Sequence, residues 1–372
     1  MGYEVAKYDK NMAVATNIQE EGLVFLNALE DCFQLKGVHY NEQLKQYERM
    51  PEEIAKTVSE GVTVLNRNTS GGRLRFTTNS PYIAVKVEYN SYGLMDHMAS
   101  TGSSSFDLYL DEGGKSWFYG TFRRPVENKE GFESIVYLPN FVRGEQKWCK
   151  NPKDSFSVTI NFPLYNNVNQ LYIGLKEGST VTEPMPYREE KPVVYYGSSI
   201  TQGGCASRPG NSYQAMISRR YNWDYFNLGF SGNAKGEQTM IDYLAGLDMS
   251  VLVLDYDHNA PTVEHLRNTH EHVYQDIRKA NPELPIVLVS KPDFKHIDGM
   301  DDANYERKEI IRTTYNNAIA AGDKNIYFID GETLFEGDDL DSCTVDGCHP
   351  NDLGFFRMAQ KIGGLLGEIM RF

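Results

Sequence analysis

Two short stretches of this 372-residue chain carry residue types that cleave bonds by nucleophilic attack. The first is Gly197-Ser198-Ser199-Ile200-Thr201-Gln202-Gly203, which follows the apolar run Val193–Tyr196 and precedes a helical stretch. A serine on a tight strand-to-helix turn projects its hydroxyl while the first helical amides face the same space. A Gly/Ser turn that binds phosphate, or only reverses the chain, has the same composition. The second stretch is Asp346-Gly347-Cys348-His349-Pro350-Asn351. Two residues separate carboxylate from imidazole, and Pro350 favours an extended backbone at His349. The spacing lets Asp346 accept from Nδ1–H of His349 and leaves Nε2 as a general base, the logic of a Ser-His-Asp triad. A helix N-cap is the competing reading, since Asn351 or Asp352 would cap the following turn in any case.

Two loops between these stretches could supply donors to a developing oxyanion. Asn227-Leu228-Gly229-Phe230-Ser231-Gly232-Asn233 and Leu254-Asp255-Tyr256-Asp257-His258-Asn259 each follow an apolar run. Glycine lets a backbone N–H approach a substrate oxygen closely, and an asparagine amide adds a side-chain donor. With the N–H of Ser199 this makes a three-donor hole from Ser199, Gly232 and Asn259, although ordinary turn chemistry uses the same residues. His258, beside Asn259, is a candidate substrate contact. His265, His270 and His272 lie in one helical stretch, but only His265 and His272 share a face and no further ligand completes a set, so a charged solvated face is expected and no metal. Cys205 and Cys348 adjoin the serine and histidine loops and read as pocket-wall residues rather than nucleophiles.

The elements that must position these residues change character near residue 190. Between about Val64 and Leu175 apolar residues recur with period two: Ile83, Val85, Val87 and Tyr89, then Phe106, Leu108 and Leu110, with Asp107, Tyr109 and Asp111 on the alternate face. Short strands of this kind, punctuated by Gly, Ser and Asn clusters, predict a β-sandwich. Lys176 to Pro192 reads as a linker. Beyond it strands are expected at Val193–Tyr196, Tyr225–Leu228, Val251–Leu254, Ile286–Val289 and Ile326–Ile329. Helices are expected at Ser212–Tyr221, Val263–Ala280, Tyr305–Ala321 and Leu353–Met370, and upstream at Pro51–Ser59. The alternation predicts a parallel sheet covered by helices on both faces, with the ligand site at the strands' carboxyl ends. The expected division is an N-terminal arm, 1–20, a sandwich, 21–187, and an α/β domain, 188–372.

Composition narrows the function. The formal charge is −14, from 37 basic and 51 acidic residues, which disfavours nucleic acid as a partner. No run approaches 18 apolar residues, so no spanning helix and no membrane partner are expected. Met1 to Gln19 lacks the apolar run of a secretion signal, which favours a cytoplasmic location. The five cysteines, Cys32, Cys149, Cys205, Cys343 and Cys348, are odd in number and irregular in spacing, and are expected as thiols, a Cys343–Cys348 loop being the minor alternative.

Taken in order, the four loops resemble the motif blocks of the SGNH/GDSL hydrolases: a Gly-Asp-Ser loop, a Gly loop, an Asn loop and a terminal Asp-x-x-His. The resemblance implies Ser199 as nucleophile, His349 as base, Asp346 as its orienting acid, and Gly232 and Asn259 as oxyanion donors. It also implies a three-layer α/β/α domain on a five-stranded, flavodoxin-like parallel sheet. Two departures stand out: Ser198 replaces the aspartate of Gly-Asp-Ser, and Asp257-His258-Asn259 replaces the usual Gly-x-Asn-Asp. Ser105-Phe106-Asp107-Leu108-Tyr109 and the segment Asn161 to Leu175 resemble the β-rich domain, named for a Gly-x-Asp-Leu-Tyr motif, that precedes the hydrolase domain in one esterase subgroup. Together these imply a serine esterase needing no cofactor, acting on short esters, acetyl foremost, of a small molecule or oligosaccharide. The rivals are a lipid or platelet-activating-factor-like acylhydrolase and an inactive carbohydrate-binding protein. A nucleotide-binding domain lacks its glycine fingerprint here.

Overall fold

The structure is a computed structural model; it describes residues 2–5, 14–91, 95–125, 127–143, 146–147, 153–292 and 302–371. Two compact units emerge. Unit 1 comprises Met1–Arg49, Arg67–Arg188 and Arg208–Gly210, and unit 2 comprises Met50–Asn66, Glu189–Ser207 and Asn211–Phe372.

Unit 1 is the antiparallel β-rich part. One sheet runs, in spatial order, Tyr3–Glu4, Thr180–Thr182, Arg73–Thr78, Phe156–Asn161, Phe106–Glu112 and Lys115–Phe122, with Gln34–Lys36 also paired to Arg73–Thr78. The other runs Gly131–Tyr137, Tyr82–Glu88, Gln170–Lys176 and Leu23–Asn27. Alternation works as expected on the inner faces: Ile83, Val85, Val87, Phe106 and Leu108 share one core with Leu74, Phe76, Val158 and Ile173. The outer face of the larger sheet differs from expectation. Asp107, Tyr109 and Asp111 are buried rather than solvated, at 0%, 1% and 7% exposure. Both buried carboxylates there have partners, as burial requires. Asp111 accepts from Thr159 at 2.7 Å, and Thr159 accepts from Arg75 Nε at 3.2 Å. Asp107 accepts from Asn161 Nδ2 at 2.7 Å, from the Gly210 N–H at 2.8 Å and from Arg208 at 3.3 Å. The Asp-Leu-Tyr motif thus turns its acid and phenol outward to hold Arg208–Gly210, while Leu108 fills the core. Tyr3–Glu4, from the expected N-terminal arm, is an edge strand; residues 6–13 of that arm lie outside the described residues.

In unit 2, β1 (Glu189–Gly197), β2 (Trp223–Gly229), β3 (Val251–Asp255), β4 (Ile286–Val289) and β5 (Ile326–Ile329) form a parallel sheet in the order β2-β1-β3-β4-β5. The helices are α1 (Glu52–Val58), α2 (Glu60–Asn66), α3 (Ser199–Gln202), α4 (Tyr213–Tyr221), α5 (Gln238–Ala245), α6 (Val263–Ala280), α7 (Asp302–Ala320) and α8 (Asp352–Ile369). Strands buried on both faces read as continuous apolar runs. Val194, Tyr196, Leu252, Leu254, Ile286 and Leu288 pack with Met240 and Leu244 of α5, Leu266, Val273 and Ile277 of α6, and Ile311 of α7. On the opposite face Tyr195 meets Tyr213 of α4 edge-on at 5.5 Å, and Tyr213 stacks on Phe355 of α8. The result is three layers.

The units do not follow the contiguous expected boundaries. Met50–Asn66, placed by sequence within 21–187, joins unit 2, because Met50, Ala55 and Val62 are wholly buried in the α/β core. Among the described residues no helix is long and apolar enough to cross a membrane. Cys32, Cys205, Cys343 and Cys348 are thiols, and Cys149 lies outside the described residues.

Candidate active site

The serine turn is built by close approach. A Cβ on Gly197 would lie 2.1 Å from both the Asp255 carbonyl oxygen and Thr201 Oγ1, so only glycine lets the end of β1 sit against the end of β3. Ser198 is extended and its Oγ accepts from the Ile200 N–H at 3.2 Å, capping α3. Ser199 is therefore the first residue of a short helix, directly beyond the carboxyl end of β1.

The histidine loop comes from the far end of the chain. Asp346 Oδ1 accepts from the backbone N–H groups of His349 (2.7 Å) and Cys348 (3.0 Å), and Oδ2 accepts from His349 Nδ1 at 2.7 Å. The carboxylate thus shapes the loop and orients the ring at once. Downstream, Asn351 Oδ1 accepts from Leu353 N and Gly354 N and starts α8. His349 Nε2 lies 2.9 Å from Ser199 Oγ. Partial burial would raise the Asp346 pKa, but the His349 and Cys348 donors outweigh it and hold the group down at about 2. The ring nitrogen facing Asp346 is therefore the protonated one, and Nε2 is available to the serine hydroxyl.

Gly232 has φ +69° and nothing within 4 Å of where a Cβ would stand, and its N–H makes no hydrogen bond to any described residue. Asn259 ends a 3₁₀ turn, Asp257–Asn259, and its Oδ1 accepts from Ala234 N at 3.4 Å, tying it to the Gly232 loop. Its Nδ2 donates to no described residue. The serine loop is joined to the Gly232 loop by Ser231 N–H donating to Gln202 Oε1 at 3.0 Å and by Phe230 N–H donating to the Gly197 carbonyl at 2.8 Å. His258 follows Asp257, whose carboxylate accepts from Lys291 N at 3.0 Å. The Nε2 of His258 is shut off from water and has no hydrogen-bond partner among the described residues, and burial, then the charges of Lys291, Arg307 and His349, push its pKa well below the usual histidine range. It is a neutral ring at the strand ends.

Cys205 Sγ stands within 4.8 Å of a His349 ring nitrogen. Burial first, then Asp346 and Cys348, push its thiol up to about 12, so it is a neutral thiol and not a thiolate nucleophile. The three helical histidines do not converge. His265 Nε2 meets the Lys235 carbonyl, His272 Nε2 meets Gln238, and His270 is 2% exposed with Nδ1 on Thr314 Oγ1 at 2.8 Å. His270 departs from the expected solvated face because its ring stacks on Tyr256 beneath α6.

Sequence reasoning assigned no role to the buried polar residues under the serine turn: Thr201, Gln202, Tyr213, Gln214, Asn227 and Asp255, all at or below 1% exposure. The available signal was a carboxylate closing the apolar run Val251–Leu254.

Residues 190–366 match the family model of the GDSL-like lipase/acylhydrolases, and residues 23–181 match that of the N-terminus of SGNH-hydrolase-type esterases. Among curated proteins no relative matches. Among solved structures, a protein from Bacteroides ovatus ATCC 8483 described as a GDSL-like lipase is 26% identical with a TM-score of 0.80, over 94% of this chain and 98% of that one. A salicylyl-acyltransferase, SsfX3, from a tetracycline biosynthetic pathway is 19% identical with a TM-score of 0.70, over 94% and 99%. An acetyl xylan esterase from Butyrivibrio proteoclasticus is 13% identical with a TM-score of 0.54, over 94% and 98%. The last two likenesses are of fold.

Proposed function

We propose that this chain, a carboxylic ester hydrolase whose residues 190–366 belong to the GDSL-like lipase/acylhydrolase family and whose residues 23–181 are the N-terminal region of SGNH-type esterases, removes short acyl groups from carbohydrates through an acyl-enzyme on Ser199. The reading rests on one observation: the unbroken line Ser199 Oγ to His349 Nε2 (2.9 Å) and His349 Nδ1 to Asp346 Oδ2 (2.7 Å). Ser199 Oγ attacks the ester carbonyl while its proton passes to His349 Nε2. The tetrahedral oxyanion is stabilised by the N–H groups of Ser199 and Gly232 and by Asn259 Nδ2. Collapse breaks the C–O bond, and the alcohol leaves with the proton from Nε2. Water then repeats the cycle, frees the acid and restores the serine. Asp346 stays ionised and orients the ring. The small acyl group and sugar alcohol are supported by the acetyl xylan esterase among the proteins of similar fold and by the sandwich-type N-terminal region.

The test is hydrolysis of nitrophenyl esters of increasing chain length beside acetylated oligosaccharides, with fluorophosphonate labelling. Ser199→Ala should lose both labelling and turnover, with kcat falling by about 10⁴ or more. Turnover should drop steeply beyond acetyl or propionyl. The likeness to a protein described as a lipase favours a second reading, an acylhydrolase of lipids. Faster turnover of octanoyl than acetyl esters would select it.

A further inference from the structure

Unit 2 holds a carboxyl group that the proposed reaction does not use. Asp255 ends β3, is 1% exposed, and forms no ion pair with any described residue. Its Oδ2 lies 3.0 Å from Thr201 Oγ1 and 3.4 Å from the Tyr213 hydroxyl, and its backbone carbonyl accepts from the Ser198 N–H at 3.1 Å. Thr201 is gripped at its other end too: Gln214 Nε2 and Asn227 Nδ2 each donate to its carbonyl oxygen at 2.7 Å. The helical turn that begins at Ser199 is thus clamped from β2, β3 and α4, with no side chain of the clamp exposed.

We infer that Asp255 is a positioning residue, which acts through Thr201 as a neutral acid to fix the turn that aims Ser199 Oγ at His349. A carboxylate buried among two hydroxyls with no cation would be strongly disfavoured. Among the described residues, the groups that face it are Thr201 on α3, Tyr213 on α4 and, two residues on, the buried Asp257; none is positive. Burial, then the charge of Asp257, shift the acid well above the usual carboxylate range, with the two hydroxyls opposing. A neutral acid can both donate and accept, so it can serve the Thr201 and Tyr213 oxygens together. The geometry it guards is exacting, because displacing a reacting atom by about 1 Å costs on the order of 10²-fold in rate.

The inference rests on Ser199 as nucleophile, so fluorophosphonate labelling of the intact chain and its loss in Ser199→Ala come first; failure there overturns the proposed function itself. On the labelled enzyme, kcat for nitrophenyl acetate is measured per phosphonate-titrated site. Asp255→Ala should lower kcat by about 10²-fold with KM changed less than about threefold, while Asp255→Asn, uncharged and of the same shape, stays within about fivefold of the parent. Thr201→Val should match Asp255→Ala, and Thr201→Ser should restore most of the rate. Should Asp255→Ala fail to fold, the Thr201 pair and Asp255→Asn carry the test. A per-site kcat within about threefold of the parent in Asp255→Ala or Thr201→Val, whatever the loss of melting temperature, overturns the inference. So does an Asp255→Asn variant as slow as Asp255→Ala, since the acid would then be needed in its charged form.

Discussion

Ser198 stands where the resembling family has an aspartate, and its hydroxyl caps α3 through the Ile200 N–H. Serine and aspartate are near-equal N-caps, which is a physical reason the exchange is tolerated. Ser198→Ala should therefore cost about 1 kcal/mol of stability, seen as a small shift in urea midpoint, with kcat reduced only a few-fold. A loss as large as that of Ser199→Ala would mean that the nucleophile is misassigned. Asp346 plays a different part, since its two oxygens serve both the loop amides and the His349 ring. Asp346→Asn should reduce kcat by about 10⁴ while KM changes little, because an amide cannot hold the ring in the required tautomer. Its pKa, held at about 2, lies below the unfolded value near 3.9. Stability from this pairing is therefore complete above about pH 4 and is lost as pH falls through about 2, which carboxyl carbon NMR would follow directly.

Among the elements, the parallel strands work as a fixed rack. β1 delivers Ser199, β2 the Gly232 loop and β3 the Asn259 loop, each at its carboxyl end. The rack tolerates no side chain at Gly197: Gly197→Ala places a Cβ against the Asp255 carbonyl and should separate β1 from β3. Both melting temperature and per-site kcat are expected to fall, and a variant of parental stability and rate would contradict the close approach. α6 carries a second testable feature. Burial lowers the His270 pKa to about 3, against about 6.5 when unfolded. Between those values the unfolded chain binds a proton that the folded one refuses, so stability falls as pH drops from about 6.5 toward 3, by up to about 1.4 kcal/mol per pH unit. His270→Gln should be less stable at pH 7 yet show a flatter decline, read from urea midpoints at pH 7, 6, 5 and 4. Parallel declines in the two proteins would show that His270 does not remain neutral in the fold.

For the whole molecule, the division into units is spatial and not sequential. α1 and α2 precede most of unit 1 along the chain but complete the core of unit 2, where Met50 and Val62 are wholly buried. Burying such side chains contributes about 2 kcal/mol each, a large share of a domain's net stability. A fragment beginning at Glu189 should therefore be aggregation-prone or loosely folded, whereas the intact chain unfolds cooperatively. Size-exclusion chromatography and near-ultraviolet circular dichroism of residues 189–372 would check this; a monomeric fragment with native near-ultraviolet signal would show α1 and α2 to be dispensable.

Much of the candidate site was legible in the chain because its determinants are local. Asp346 and His349 meet across two residues, glycines mark the turns, and apolar runs of four or five residues end where the loops begin. β4 and β5 occupy the expected residues, and the other strands extend the expected runs at one or both ends. Tertiary structure alone decided the rest, because burial depends on what packs above a face and not on the period that defines the face. Asp107 and Asp111 alternate with core residues as solvent-facing residues would, yet they lie under other parts of unit 1 and pair with Asn161 and Thr159. His270 sits in a charged helix but stacks on Tyr256, and Pro51–Ser59 reads as a helix without revealing which core it completes. Asp255, Tyr213, Gln214 and Asn227 come from three separate segments. Their convergence on Thr201 exists only once β2, β3 and α4 are in register, which no local pattern encodes.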